Sequence, residues 1–214
     1  MEIIGGHTEV TSSVNKIILS GTVIGTYSKN FLKNQKIKPG QDIILGGYAG
    51  IEGSKIIASN IKSNSKFLER LQTNSNNLSI SVKNIAKLAL ESKGVIKMHD
   101  PTEGGIATAI HELAEFGKVG CEINFEKIRF VSNFIEVCKE LNINPLGVIS
   151  SGCLLIISNP KKSKIILNNL TKHNLPANII GKTTKSEKGN IISVKDHFST
   201  LERFDQDEII KIFK

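Results

Sequence analysis

Apolar positions change their spacing along this chain, and the changes mark out its elements. Short β-branched runs come first. Ile3-Ile4 lead into Gly5-Gly6, and Val14 to Leu19 continue through Gly21 to Val23-Ile24-Gly25, a glycine-punctuated pattern that predicts strands. Lys38-Pro39-Gly40 is a turn signal ahead of Ile43-Ile44-Leu45, which puts a boundary near residues 27–38. From Gln41 onward strands and helices alternate. Leu78, Val82, Ile85, Ala86, Ala89 and Leu90 recur at helical spacing and predict a helix over 78–93, stopped at Lys93-Gly94. Val95 to Met98 predicts a short strand. Ile106, Ala109, Ile110 and Leu113 then share one face of a helix over 103–116. Val119 to Phe125 predicts a strand, Phe134 to Leu141 a helix, and the continuous apolar run Cys153 to Ile157 a buried strand. Lys161 to Lys172 reads as helix, Ile179 to Gly181 and Ile191 to Val194 as strands, and the Asn-rich stretches 74–77 and 168–174 as polar loops or helix ends.

This alternation predicts an α+β domain over residues 38–214, with helices covering one face of a mixed β-sheet. Residues 1–37 form a two-strand remnant too short to be a domain. Its strands lack neighbours to hide their edges, and exposed edges recruit partners. A homodimer or higher oligomer through residues 2–27 is the expectation.

Composition narrows the class. With 39% apolar residues in 214, the chain can bury a core. No apolar run reaches the roughly 18 residues of a membrane span, and MEIIGGHTEV lacks the basic and apolar regions of a signal peptide. Cys121, Cys138 and Cys153 are scattered within apolar stretches, without metal-ligand or disulfide spacing. A cytoplasmic protein with buried thiols and no membrane partner is expected. The net charge of +8 raises the question of nucleic acid. The lysines are spread along the whole chain, however, with two tyrosines and no tryptophan to stack bases between them. No nucleic-acid partner is expected.

Four segments could carry chemistry. Met98-His99-Asp100-Pro101-Thr102-Glu103-Gly104-Gly105 joins a strand to a helix. Proline holds Asp100 extended, Thr102 is a natural N-cap, and Glu103 suits the positive end of the helix dipole. Gly104 and Gly105 let a phosphate approach the N–H groups of the helix start, and Asp100 could hold a cation beside it. The same residues also make an ordinary capped turn. Gly5-Gly6-His7-Thr8-Glu9 gathers donors, an imidazole and a carboxylate in one loop, or else is a β-turn with an exposed histidine. Tyr48 to Gly53 sets Glu52 between glycines at a helix start. Ser150-Ser151-Gly152 precedes the buried strand and on its own is a turn. No second histidine stands at ligand spacing to His7, so no metal site is assigned.

In order, GGHTEV, SGTVIG, KPGQDIILGGYAGIEG, MHDPTEGGIATAIHELAE, GVISSGCLLI and ANIIGKTT resemble the carboxyl-terminal two-thirds of the aminoimidazole-ribonucleotide-synthetase (PurM) superfamily. Within it they look most like the AIR-synthase-related proteins and relatives of the hydrogenase maturation factor HypE. The resemblance runs from about Ile3 to Lys182, and HDPTEGG with its Ala-rich helix is its most specific part. It implies ATP, with Mg²⁺, and phosphorylation or activation of an oxygen on a small acceptor of unknown identity. It implies dimers that share a barrel between amino-terminal domains, and ATP in a cleft between the two domains. Carried over residue by residue, Gly5, Gly6, His7 and Thr8 would lie near the phosphates from the amino-terminal side. Asp100, Thr102, Glu103, Gly104 and Gly105 would meet them from the carboxyl-terminal side. His7, Asp100 and Glu103 are the catalytic candidates, and Glu52, Ser151 and Gly152 the substrate candidates. Asp100 alone is a candidate metal ligand.

The chain departs from the family pattern in three ways. Several branches carry aspartate where His7 stands. HypE itself has arginine at Glu103 and ends in a carbamoyl-bearing cysteine, whereas this chain ends in Ile212-Phe213-Lys214, so the nitrile-forming reaction is expected to be absent. The upstream glycine-rich and acidic segments are missing, which implies a separate subunit, a truncated product or a fragment, with a second chain supplying that part. A non-catalytic dimerisation or regulatory module that keeps the fold is the alternative.

Overall fold

The computed structural model describes residues 2–25 and 35–213. Contacts divide the chain into two units, Met1–Lys33 and Asn34–Lys214. In the first, residues 2–25 are exposed and contain no strand; a turn at Ser12-Ser13 is held by Thr11 Oγ1, which accepts the Ser13 N–H at 3.2 Å. The two strands expected there are not formed. A strand is held by hydrogen bonds to a neighbour, and a lone two-stranded ribbon is marginal in water. The boundary expected near 27–38 falls largely on residues 26–34, outside the described residues.

The second unit contains β1 (Asp42–Gly46), α1 (Ile51–Asn60), α2 (Lys66–Asn76), α3 (Lys83–Glu91), β2 (Val95–His99), α4 (Gly105–Gly117) and β3 (Gly120–Asn124). It continues with α5 (Phe134–Glu140), β4 (Leu154–Ser158), α6 (Pro160–Lys172), β5 (Ala177–Thr184), β6 (Asn190–Val194) and β7 (His197–Thr200). The strands form one sheet in the order β2-β4-β1-β5-β3-β6-β7. Among the described strands only the β3–β6 pair is parallel, so the sheet is mixed, as the pattern predicted.

Helices lie on both faces of the sheet rather than on one. Ile43, Leu45, Leu155 and Ile157 share a core with Ile106, Ile110 and Leu113 of α4. On the other face, a Cβ at Gly46 would meet Ile85 of α3, Leu170 of α6 and Ile156 of β4. The reason is visible in β1 and β4. Their apolar runs are continuous, so neighbouring side chains on opposite faces both need cover. A separate core of Ile57, Leu71, Phe134, Val137 and Val148 joins α1, α2 and α5.

Local signals explain most boundaries. The α2 helix starts at Ser65, whose hydroxyl accepts from the Phe67 and Leu68 N–H groups, and α6 starts at Asn159 ahead of Pro160. The α3 helix is shorter than the predicted 78–93, because Ser79 and Ser81 hydroxyls take the Ser81 and Lys83 N–H groups in local turns. The polar stretch at 74–77 closes α2, which buries only Leu68, Leu71 and Ser75. Strand β7 pairs with β6 across a two-residue turn in which Lys195 and Asp196 both have positive φ, 49° and 64°.

Candidate functional site

Antiparallel pairing brings three of the four sequence segments to one end of the sheet. Gly46 at the end of β1 pairs with Leu154 at the start of β4, and His99 at the end of β2 pairs with Leu155. The loops 47–53, 98–105 and 147–153 therefore emerge side by side. Their glycines let them meet at backbone distance. Gly47 has φ +89°, and a Cβ there would sit 2.8 Å from Gly152 O. The Gly50 N–H, at φ +79°, donates to Ser150 Oγ at 3.1 Å, and that hydroxyl donates to Val148 O at 3.0 Å.

The helix start at Gly104-Gly105 differs from the expected cradle. Thr102 is not the N-cap; its carbonyl accepts the Gly105 N–H at 2.9 Å and the residue is exposed. Gly104 takes the cap position with φ +76°, and its N–H donates to the Asp207 carboxylate at 2.8 Å. The Ala107 N–H donates to Leu146 O at 3.0 Å. A Cβ at Gly105, where φ is +62°, would lie 2.4 Å from Leu146 O and 2.5 Å from Val148 O. The close approach that demands glycine is thus to the chain's own backbone.

Asp100, Thr102 and Glu103 are left as an exposed shoulder above a buried Gly104-Gly105. Beside them His99 Nε2 lies 2.6 Å from the Glu112 carboxylate of α4. Glu52 and Ser151 are half-buried in the neighbouring loops, and Gly152 is buried at φ +106°. Gly5, Gly6, His7 and Thr8 are exposed in the other unit. Among the described residues, no three His, Cys, Asp or Glu side chains gather as a metal site, so Asp100 has no second and third ligand beside it.

The cysteines are core residues. Burial pushes the Cys121 thiol up to about 12, and burial with the Glu208 carboxylate does the same for Cys138. Burial also raises Cys153, reinforced by the charge of Asp100. None is a poised nucleophile. What the sequence did not single out is the segment 201–209. It places Asp207 and Glu208, 7% and 6% exposed, against the start of α4 and the 144–147 turn. Its only local signal is Leu201, Phe204 and Ile209 spaced among charges.

The family described as "AIR synthase related protein, C-terminal domain" matches residues 38–194. The chain belongs to this family. It is a PurM-superfamily, HypE-like protein. A putative hydrogenase expression/formation protein of Methanocaldococcus jannaschii is 30% identical over 201 residues, covering 89% of this chain and 56% of that one. Carbamoyl dehydratase HypE of Rhizobium leguminosarum bv. viciae is 27% identical over 178 residues, covering 82% and 50%. A hydrogenase maturation protein HypE solved in complex with ATP shares the fold, with a TM-score of 0.62 at 20% identity over 82% of this chain and 54% of that one. The chain thus spans about half the length of the curated relatives it matches. Among the described residues no helix is long and apolar enough to cross a membrane.

Proposed function

We propose that this chain is the carboxyl-terminal portion of an ATP-dependent PurM-superfamily enzyme that phosphorylates or activates an oxygen on a small acceptor. The observation that carries the reading is the convergence of loops 47–53, 98–105 and 147–153 at one sheet end. There Asp100, Thr102 and Glu103 stand exposed on a rigid base. The ATP-bound HypE relative supports the nucleotide. Phosphoryl transfer rests on positioning and on cations that neutralise the β- and γ-phosphates. Asp100 offers one carboxylate to such a cation, Mg²⁺ in this reading. The other ligands would come from a polypeptide equivalent to the upstream half of the relatives, while Gly5 to Thr8 of this chain would meet the phosphates from the amino-terminal side.

Alone, the chain should bind ATP weakly and not turn it over. A free helix start favours an anion by only about 0.3–2 kcal/mol, and here the Gly104 N–H already serves Asp207. Calorimetric titration of ATP and Mg²⁺ into the chain, then into the chain with a relative's upstream half, tests the reading. Binding in the second titration that is lost in Asp100→Ala supports it. Micromolar binding with steady hydrolysis by the 214-residue chain alone overturns the incompleteness it assumes.

One observation favours a second reading, a non-catalytic dimerisation or regulatory module: the start of α4 is closed by the chain's own carboxylate. No nucleotide binding in either titration would select it. Both readings include self-association, which Ile3, Ile4, Val10, Ile17 and Leu19 support by being exposed in the first unit.

A further inference from the structure

The segment Leu201–Ile209 runs along α4 like a strap, from Glu115 in its last turn back to Gly104 at its start, and is tied down along the way. The Leu201 carbonyl accepts from His111 Nε2 at 3.0 Å, and Arg203 pairs with Glu115. Phe204 N–H and Thr108 Oγ1 lie at 3.2 Å, as do Thr108 Oγ1 and Phe204 O. Glu208 accepts the Asn144 N–H at 2.8 Å and gives its own N–H to Gly147 O at 3.1 Å. Gly147 is glycine because a Cβ would lie 2.6 Å from the Phe204 ring. Asp207 ends this series. One of its oxygens accepts the Gly104 N–H at 2.8 Å, and the other accepts the Ile209 N–H at 2.9 Å.

We propose that Asp207 is a positioning residue for the shoulder Asp100–Glu103. Its carboxylate fills the anion position at the start of α4 and anchors the left-handed Gly104 from which the shoulder is hung. The inference rests on the proposed reading only for its consequence, that this shoulder faces a nucleotide. Gly104 needs such an anchor. Its φ of +76° belongs to the left-handed region, and its cap has no side chain of its own to close the helix. A carboxylate answers the helix dipole and a backbone donor together. Because Asp207 already supplies that charge, a phosphate meets the exposed shoulder and not the helix terminus.

The test is amide hydrogen exchange on the full chain without nucleotide, so its outcome does not depend on whether ATP binds. Asp207→Asn keeps one acceptor oxygen and should preserve the fold; Asp207→Ala removes both acceptors. In Asp207→Ala, exchange at Gly104 and its neighbours in 102–106 should rise at least about tenfold, the size of one lost buried charged hydrogen bond. Strands β1 and β4 should be unchanged, and Asp207→Asn should fall between. Formate, a free carboxylate, should slow the Gly104 amide again in Asp207→Ala and leave the parent chain unaffected, which a general packing defect would not do. Unchanged exchange at Gly104, equal acceleration in β1 and β4, or no response to formate would each overturn the assignment.

Discussion

Ser150 Oγ accepts the Gly50 N–H at 3.1 Å, joining two loops one hundred residues apart at the end of the sheet. Both residues are buried, and the same hydroxyl donates to Val148 O at 3.0 Å. Ser150→Ala leaves a buried N–H and a buried carbonyl without this partner. Urea unfolding should show a loss of about 1–3 kcal/mol, the cost of stranding a buried polar group. Ser151→Ala, in the half-buried neighbour, should change stability by less than about 0.5 kcal/mol.

Gly105→Ala should be among the most damaging single changes in the chain. Its Cβ would press on the Leu146 and Val148 carbonyls at 2.4 and 2.5 Å, and φ is +62°. Backbone cannot yield as a flexible side chain does. The strained conformation alone costs about 1–3 kcal/mol, and the clash adds to it. Gly40→Ala is the control, since φ is +85° but nothing lies within 4 Å. It should lose only about 1–2 kcal/mol. Thermal melting of the two variants checks the order.

Phe134→Ala should cost about 3–5 kcal/mol. The ring is fully buried, packs against Phe130 with centroids 5.8 Å apart, and fills the space that a Cβ at Gly50 would enter. Phe134→Leu should cost clearly less. Chemical denaturation with a shared slope would show the difference as a shift of midpoint.

The thiols set a pH dependence on the alkaline side. Unfolded cysteine ionises near about 8.5, whereas Cys121 and Cys138 stay protonated in the fold up to about 12. The unfolded chain therefore binds fewer protons in this interval, and stability falls as pH rises through it. The contribution is whole below the unfolded value and is lost by about 12. Urea midpoints at pH 7.5 and 10 should fall further for the parent chain than for a Cys121→Ala, Cys138→Ala variant. At pH 8 a thiol reagent should label none of the three cysteines until the chain unfolds, as all are buried.

Removing residues 1–33 should leave the melting transition in place, because 34–214 is a compact unit of its own. Sedimentation should show whether self-association goes with the removed segment. Loss of association is the expected result, since the large exposed aliphatics of residues 2–25 go with it.

What the sequence determined by itself was everything that depends on near neighbours. Short apolar runs marked β1, β2, β3, β4, β5 and β6, and helical patterns marked α4, α5 and α6, because both signals lie in residues close together along the chain. The motif order pointed to the family for the same reason, since each motif is a short run of neighbouring residues. Tertiary structure decided what depends on distant residues. The Gly104 N–H could have met a phosphate, but it meets Asp207, 103 positions on, and no local pattern near either residue records that bond. Cover for both sheet faces came from α3 and α6 as well as α4, which continuous apolar runs in β1 and β4 require but do not assign. The strands expected in residues 2–25 failed for the converse reason. Their sequence satisfies the local rule, but a strand also needs a hydrogen-bonded neighbour, and residues 2–25 form no such pairing.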